Sequence, residues 1–241
     1  MNFFKGFFRR FHFSKATAPL DHPKPPSDRG SEESEPPELV PVIRALELEQ
    51  FDDVIELAEP LTGHLDLRIR ADAARLTALA LSRLDRYDEA VPWWQNLVAL
   101  EPSGHNFLQL ASSAAMVNRL DVSEPAFERA ATLAQESGQE NPSLLPMMWA
   151  NYATALDRGG NTPRALYFIE LLKRAYAGYR ITDSHFLYIR GMPFFEVFLE
   201  HALPMLHKLK TREEIEAWLN DLNDNLDEDG QATIAGYRSQ T

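Results

Sequence analysis

At 241 residues the chain is long enough for one sizeable folded domain with a tail, or for two small domains. It contains 44% hydrophobic and 25% charged residues but no cysteine, which excludes disulfides, thiolate metal sites and a thiol nucleophile, and no stretch approaches the ~20 apolar residues of a membrane span. A formal net charge of -12 repels a phosphate backbone, so nucleic acid is not an expected partner, and a reducing, cytoplasmic setting is the expectation.

The first element reads MNFFKGFFRRFHFSK. Wound as a helix, Phe3, Phe4, Phe7, Phe8 and Phe11 fall within one arc of about 140 degrees, with Lys5, Arg9, Arg10 and His12 on the remainder. An apolar stripe with a basic back is the pattern of a segment that lies on an anionic membrane surface or docks into a partner's groove. A secretory signal is disfavoured because Lys5, Arg9 and Arg10 interrupt the apolar run, whereas an acid-free, arginine-bearing start also suits a mitochondrial presequence. A third reading has this basic segment folding back onto the acidic remainder of the chain. Residues 16–38, rich in Pro, Ser and Glu, read as a disordered linker.

From residue 39 onward the hydrophobic pattern is helical. The one place where a period-2 strand is compatible with the sequence is 179–189. Residues 39–48 and 51–61 predict a first, degenerate helix pair. Residues 71–104, ADAARLTALALSRLDRYDEAVPWWQNLVALEPSG, predict a small-residue helix, a turn at Asp85-Arg86, and a second helix opening at Tyr87 and stopped by Pro102. Ala78 and Ala90 are the small side chains that let two antiparallel helices approach closely. A weaker pair follows, with Phe107, Leu110, Ala111 and Ala114, a turn at Asn118-Arg119, then Phe127 and Ala130; Ser123 stands where alanine is expected. An insertion is implied near 138–145. The last pair runs from Trp149, Tyr152, Ala153 and Leu156 through Gly159-Gly160-Asn161 to Ala165 and Ile169. The pairs recur at intervals of 36, 33 and 42 residues.

Residues 193–209 are apolar on nearly every side and predict a buried helix with a kink at Pro204. Thr211 with Glu214 predicts a capping box, opening a helix whose stripe is Ile215, Trp218, Leu219, Leu222 and Leu226. These two helices are expected to cap the stack.

The 34-residue length of the 71–104 unit and the Trp, Tyr-Ala, Leu, Gly and Ala of the 149–169 unit resemble the tetratricopeptide repeat (TPR) family over residues 39–179. The resemblance implies an all-α superhelix with a C-terminal helical cap over 180–241. It also implies a concave surface, formed by the first helix of each pair, that binds a partner peptide or helix. That surface would carry Asp72, Arg75, Leu79, Ser82, Arg83, His105, Leu108, Ser112, Met116, Met147, Thr154 and Arg158. It lacks the asparagine and lysine arrangement by which chaperone adaptors of the family clamp a C-terminal carboxylate. The implied function is that of an adaptor, chaperone or scaffold without catalysis or cofactor.

Other constellations point elsewhere and are weaker. Asn225, Asp227, Asp229 and Gly230 are spaced like the start of a calcium loop, but Gly236 occupies the position of the bidentate acid. His201 and His207, six apart, fall on different helical faces, and no phosphate loop or nucleophile elbow is present. The competing class is an enzyme or metal-binding protein with its site in the C-terminal region, for which no clustered catalytic residues are visible.

Overall fold

The computed structural model describes residues 35–136 and 144–238. The chain divides into two units, Met1–Ser34 and Glu35–Thr241, and every element described belongs to the second. Among the described residues there are twelve α-helices and no strand.

The first eight helices come in pairs: α1 (Val40–Glu47) with α2 (Phe51–Ala58), α3 (Leu67–Arg83) with α4 (Tyr87–Leu100), α5 (Gly104–Met116) with α6 (Leu120–Glu136), and α7 (Leu144–Arg158) with α8 (Thr162–Tyr179). One 3-10 turn, Glu59–Gly63, links the first pair to the second. Each pair is closed by the same device. A residue in the left-handed region follows the first helix: Glu49 (φ 56°), Asp85 (57°), Asn118 (58°) and Gly160 (86°). The next N–H then donates back to the fifth carbonyl before it: Gln50 to Ala45 (2.9 Å), Arg86 to Leu81 (2.9 Å), Arg119 to Ala114 (2.8 Å) and Asn161 to Leu156 (2.8 Å). This satisfies carbonyls that a helix end leaves orphaned and reverses the chain in two or three residues.

Because the turns are identical, equivalent positions share an environment. The fifth residue after each left-handed residue is Val54, Ala90, Ser123 or Ala165, and all four are 0% exposed. Ala78 and Ala90 lie in one core cluster, as do Trp149 and Ala165 on the paired helices α7 and α8. The chain is an all-α helical repeat.

The pairs stack by handing contact forward: α2 packs on α3, α4 on α5, and α5 directly on α7. Between α6, α7 and α8 an aromatic cluster fills the seam, with the Phe127 and Tyr152 rings stacked at 4.2 Å and Phe168 edge-on to both. The Ser123 hydroxyl donates to the Ala111 carbonyl (2.8 Å) and meets the Tyr152 hydroxyl at 2.7 Å, so the position that sequence marks as irregular is a buried polar tie. At Gly159 the backbone comes close to that of α5, since a Cβ there would lie 1.9 Å from the Ala115 carbonyl oxygen.

Beyond α8 the chain forms α9 (Ser184–Ile189), α10 (Phe195–Leu209), α11 (Arg212–Asn223) and α12 (Glu228–Arg238). The 179–189 stretch, compatible with a strand by pattern, is the end of α8, a loop at 180–183 and then α9: the Asp183 carboxylate accepts from the Phe186 N–H at 2.9 Å and starts a helix instead. Gly191 (φ 60°) and the bond from Met192 N–H to the Leu187 carbonyl (2.9 Å) reproduce the repeat turn between α9 and α10. Pro204 lies within α10. The Thr211–Glu214 capping box forms as expected, with bonds of 3.3 and 2.7 Å. The Trp218 indole donates to Glu170 (2.8 Å), and buried Lys173 sits 4.8 Å over the Trp218 ring and 2.5 Å from Asp221, fixing α11 to α8.

Candidate partner-binding surface

Three of the first helices, α3, α5 and α7, carry the row of residues that the repeat places on one face. Counted back from Asp85, Asn118 and Gly160, they are Asp72, His105 and Met147 at thirteen, Arg75 and Leu108 at ten, Leu79, Ser112 and Thr154 at six, and Arg83, Met116 and Arg158 at two. Equal offsets from identical turns put these side chains in parallel rows across successive helices.

Most of them are half-buried: Asp72, Arg75, Leu79, Ser82, Arg83, Ser112, Met116, Met147 and Thr154. Leu108 departs from the expectation. At 7% exposed it belongs to the core, because α5 is wedged between α4 and α7. The hydroxyls of Ser82 and Thr154 donate to carbonyls one turn back, Ala78 (2.7 Å) and Ala150 (2.9 Å), so their outward faces are largely methylene and methyl.

The charged groups form two clusters. Arg75 bridges Asp72 on its own helix and Glu101 at the end of α4. His105 is exposed, and desolvation of its imidazole and then the Arg75 charge hold it below its ordinary value. At the other end, Arg158 lies 3.4 Å from Asp85, whose carboxylate also accepts the Tyr87 hydroxyl at 3.0 Å. Desolvation is the main cause that pushes the Tyr87 phenol up to about 12. Burial also pushes Arg83 down from its usual value, the cost of seating a guanidinium in a half-buried wall. The sequence pattern finds the row but not Glu101 and Asp85, at helix ends, and Tyr87, which opens α4; they become neighbours of the row only on folding.

A further group sits beside the row. Asp157 accepts Lys208 of α10 at 2.7 and 2.8 Å and the Thr162 hydroxyl at 2.6 Å, so α10 reaches the edge of the fourth pair. Elsewhere, Asp227 accepts from the Thr182 N–H (2.9 Å), the Thr182 hydroxyl (2.6 Å) and the Gly230 N–H (3.0 Å). Its oxygens thus tie the 180–183 loop to the start of α12. Among the described residues no three His, Asp or Glu side chains gather as metal ligands. Nor is any helix among them long and apolar enough to cross a membrane. Phe3, Phe4, Lys5, Phe7, Phe8, Arg9, Arg10 and Phe11 lie outside the described residues, as does most of the expected insertion at 138–145. No protein-family model matches the chain, and no curated protein matches it.

Proposed function

We propose that this chain is a non-catalytic protein-binding repeat protein of tetratricopeptide type, an adaptor, chaperone or scaffold in which a trough along α3, α5 and α7 grips a peptide or helix of a partner protein. The observation that carries the reading is the row of mostly half-buried side chains at equal offsets from the three turns at Asp85, Asn118 and Gly160. Leu79, Met116 and Met147 offer adaptable apolar contact, and methionine in particular conforms to different partner side chains. Arg75, Arg83 and Arg158 offer charge at intervals along the trough, suiting a partner segment that alternates apolar and acidic residues.

Residues 1–15 act in the same reading as a docking segment whose phenylalanine arc needs a cover, which an anionic membrane surface or a partner's groove would supply. The protein then works in the cytoplasm, peripherally at a membrane when docked. A mitochondrial site follows instead if the segment is a presequence.

A photo-crosslinking amino acid tests the trough. Placed at Met116 or Thr154 in the native host, it should capture a protein that the same probe at Glu128, on α6, does not. Equal capture from both positions would sink the reading.

A further inference from the structure

The repeat register identifies the side chains by which each pair meets the pair before it. In the second pair they lie twelve, nine, eight and five residues before Asp85: Ala73, Leu76, Thr77 and Ala80. Ala73 and Ala80 pack in one cluster with Val42, Ala45, Val54 and Ala58 of the first pair. In the third pair the equivalent positions, Asn106, Gln109, Leu110 and Ser113, are all buried. In the first pair they are Pro37, Val40, Pro41 and Arg44, and all four are exposed, Val40 at 48%. Leu57 of α2 is 42% exposed as well, whereas its counterpart Ala126 is buried. Among the described residues, the first pair thus presents an apolar strip at a position that later pairs cover. The strip is set among acids: between 35 and 66 nine carboxylates accompany a single arginine, Arg44.

Around α9 lies a second exposed apolar patch, of opposite charge. Leu187 faces the core, which turns Tyr188 (56% exposed) and Ile189 (59%) outward, and Tyr179, Ile181 and Phe194 on either side are exposed too. Arg190 lies over the Tyr179 and Phe186 rings at 5.8 and 5.5 Å, and those rings meet edge-on at 5.5 Å, so a guanidinium is built into the patch. From 174 to 194 the chain carries Arg174, Arg180 and Arg190 against one acid, Asp183, whose carboxylate caps α9. Tyrosine, phenylalanine and arginine are the residues that protein–protein contacts favour, and a grouped exposed set of this kind marks such a contact.

We propose that a second copy of the chain covers each face: the acidic strip of α1 and α2 in one copy docks on the basic, aromatic patch around α9 in the next, so that copies join head to tail. Charge complementarity selects this occupant. The net charge of -12 opposes association of whole copies, but at physiological salt charges act over about 8 Å, so the local match decides. Two different faces make the contact heterologous, and copies add in series rather than closing as a symmetric pair. Neither face shares a residue with the row on α3, α5 and α7, so partner binding and self-association are separable.

Sedimentation velocity of the full chain at rising protein concentration tests it. The parent should shift reversibly from monomer to dimer and longer species, and deleting residues 1–15 should leave that shift unchanged. Pairing Val40→Lys with Leu57→Lys, or Tyr188→Glu with Ile189→Glu, should each weaken the association at least about tenfold. All four side chains are exposed, so their replacement does not empty the core. Mixing the two variants should restore an association that stops at one copy of each, because each keeps the face that the other has lost. High salt should weaken the parent's association. A parent that stays monomeric throughout, a mixture no better than its parts, or association lost with residues 1–15 would overturn the proposal. So would one variant that still associates like the parent, which means a symmetric contact through the other face.

Discussion

Gly159 shows how one atom sets the distance between two helices. Any side chain there drives a Cβ to 1.9 Å from the Ala115 carbonyl oxygen, a backbone atom that cannot rotate away, so α7 must retreat from α5. Gly159→Ala should cost about 3 kcal/mol in urea denaturation, the upper range for overpacking. Gly178→Ala is the control: it has open space around its position near the end of α8, and alanine there should stabilise by about 0.5 kcal/mol through helix propensity. Ser123 gives a second test. Ser123→Ala leaves the buried Tyr152 hydroxyl without its hydrogen-bond partner at a cost of about 1–3 kcal/mol, whereas adding Tyr152→Phe should cost less than the two separate losses combined. The glycine is legible in the sequence as a turn residue. The hydroxyl pair, 29 positions apart, is not, because nothing local to Ser123 announces a tyrosine from the next pair.

At the level of elements, the helix boundaries were largely written in the chain. Asp85-Arg86, Asn118-Arg119 and Gly159-Gly160 fall at turns, and the Thr211–Glu214 box opens α11, because caps and left-handed turns depend on residues close in sequence. The turn at Gly191 was hidden by apolar residues on every side of 193–209, which give no face to read. The calcium-like acids likewise serve an end that spacing cannot show, since Thr182 lies 45 positions from Asp227. That tie carries a pH signature. Burial alone would raise the Asp227 carboxyl, but the hydrogen bonds from Thr182 and Gly230 outweigh it and hold the group below its usual value. A carboxylate depressed in the folded state stabilises above its unfolded pKa of about 3.9 and loses that contribution as pH falls through the folded value. Thermal melts should therefore show Asp227→Asn less stable than the parent at pH 7, with the gap closing below about pH 4; a constant gap would mean that the tie does not titrate.

Over the whole molecule, stability passes from pair to pair, so the ends matter more than in a globular core. Ile215, Trp218, Leu219 and Leu222 of α11 are buried on the last layers, each side chain worth roughly 1.5–3 kcal/mol. Removing residues 211–241 should lower the melting temperature and make the chain aggregate, with exchange rising first in α8. The candidate rows on α3, α5 and α7 depend on the same order: they are in register because the pairs repeat their turns at 36, 33 and 42 residues, and the ion pair between Arg158 and Asp85, 73 positions apart, forms only once the pairs are stacked.

The absence of cysteine allows that stacking to be measured directly. Asn118 and Asn161, in the turns of the third and fourth pairs, meet at 2.7 Å, and Arg86 lies 3.6 Å from Asp52 across the first and second pairs. A short bismaleimide should join the Asn118→Cys, Asn161→Cys pair and the Asp52→Cys, Arg86→Cys pair rapidly within one chain, and the Asp52→Cys, Asn161→Cys pair slowly if at all. Equal rates for all three, or rapid joining of the last alone, would contradict a stack built pair upon pair.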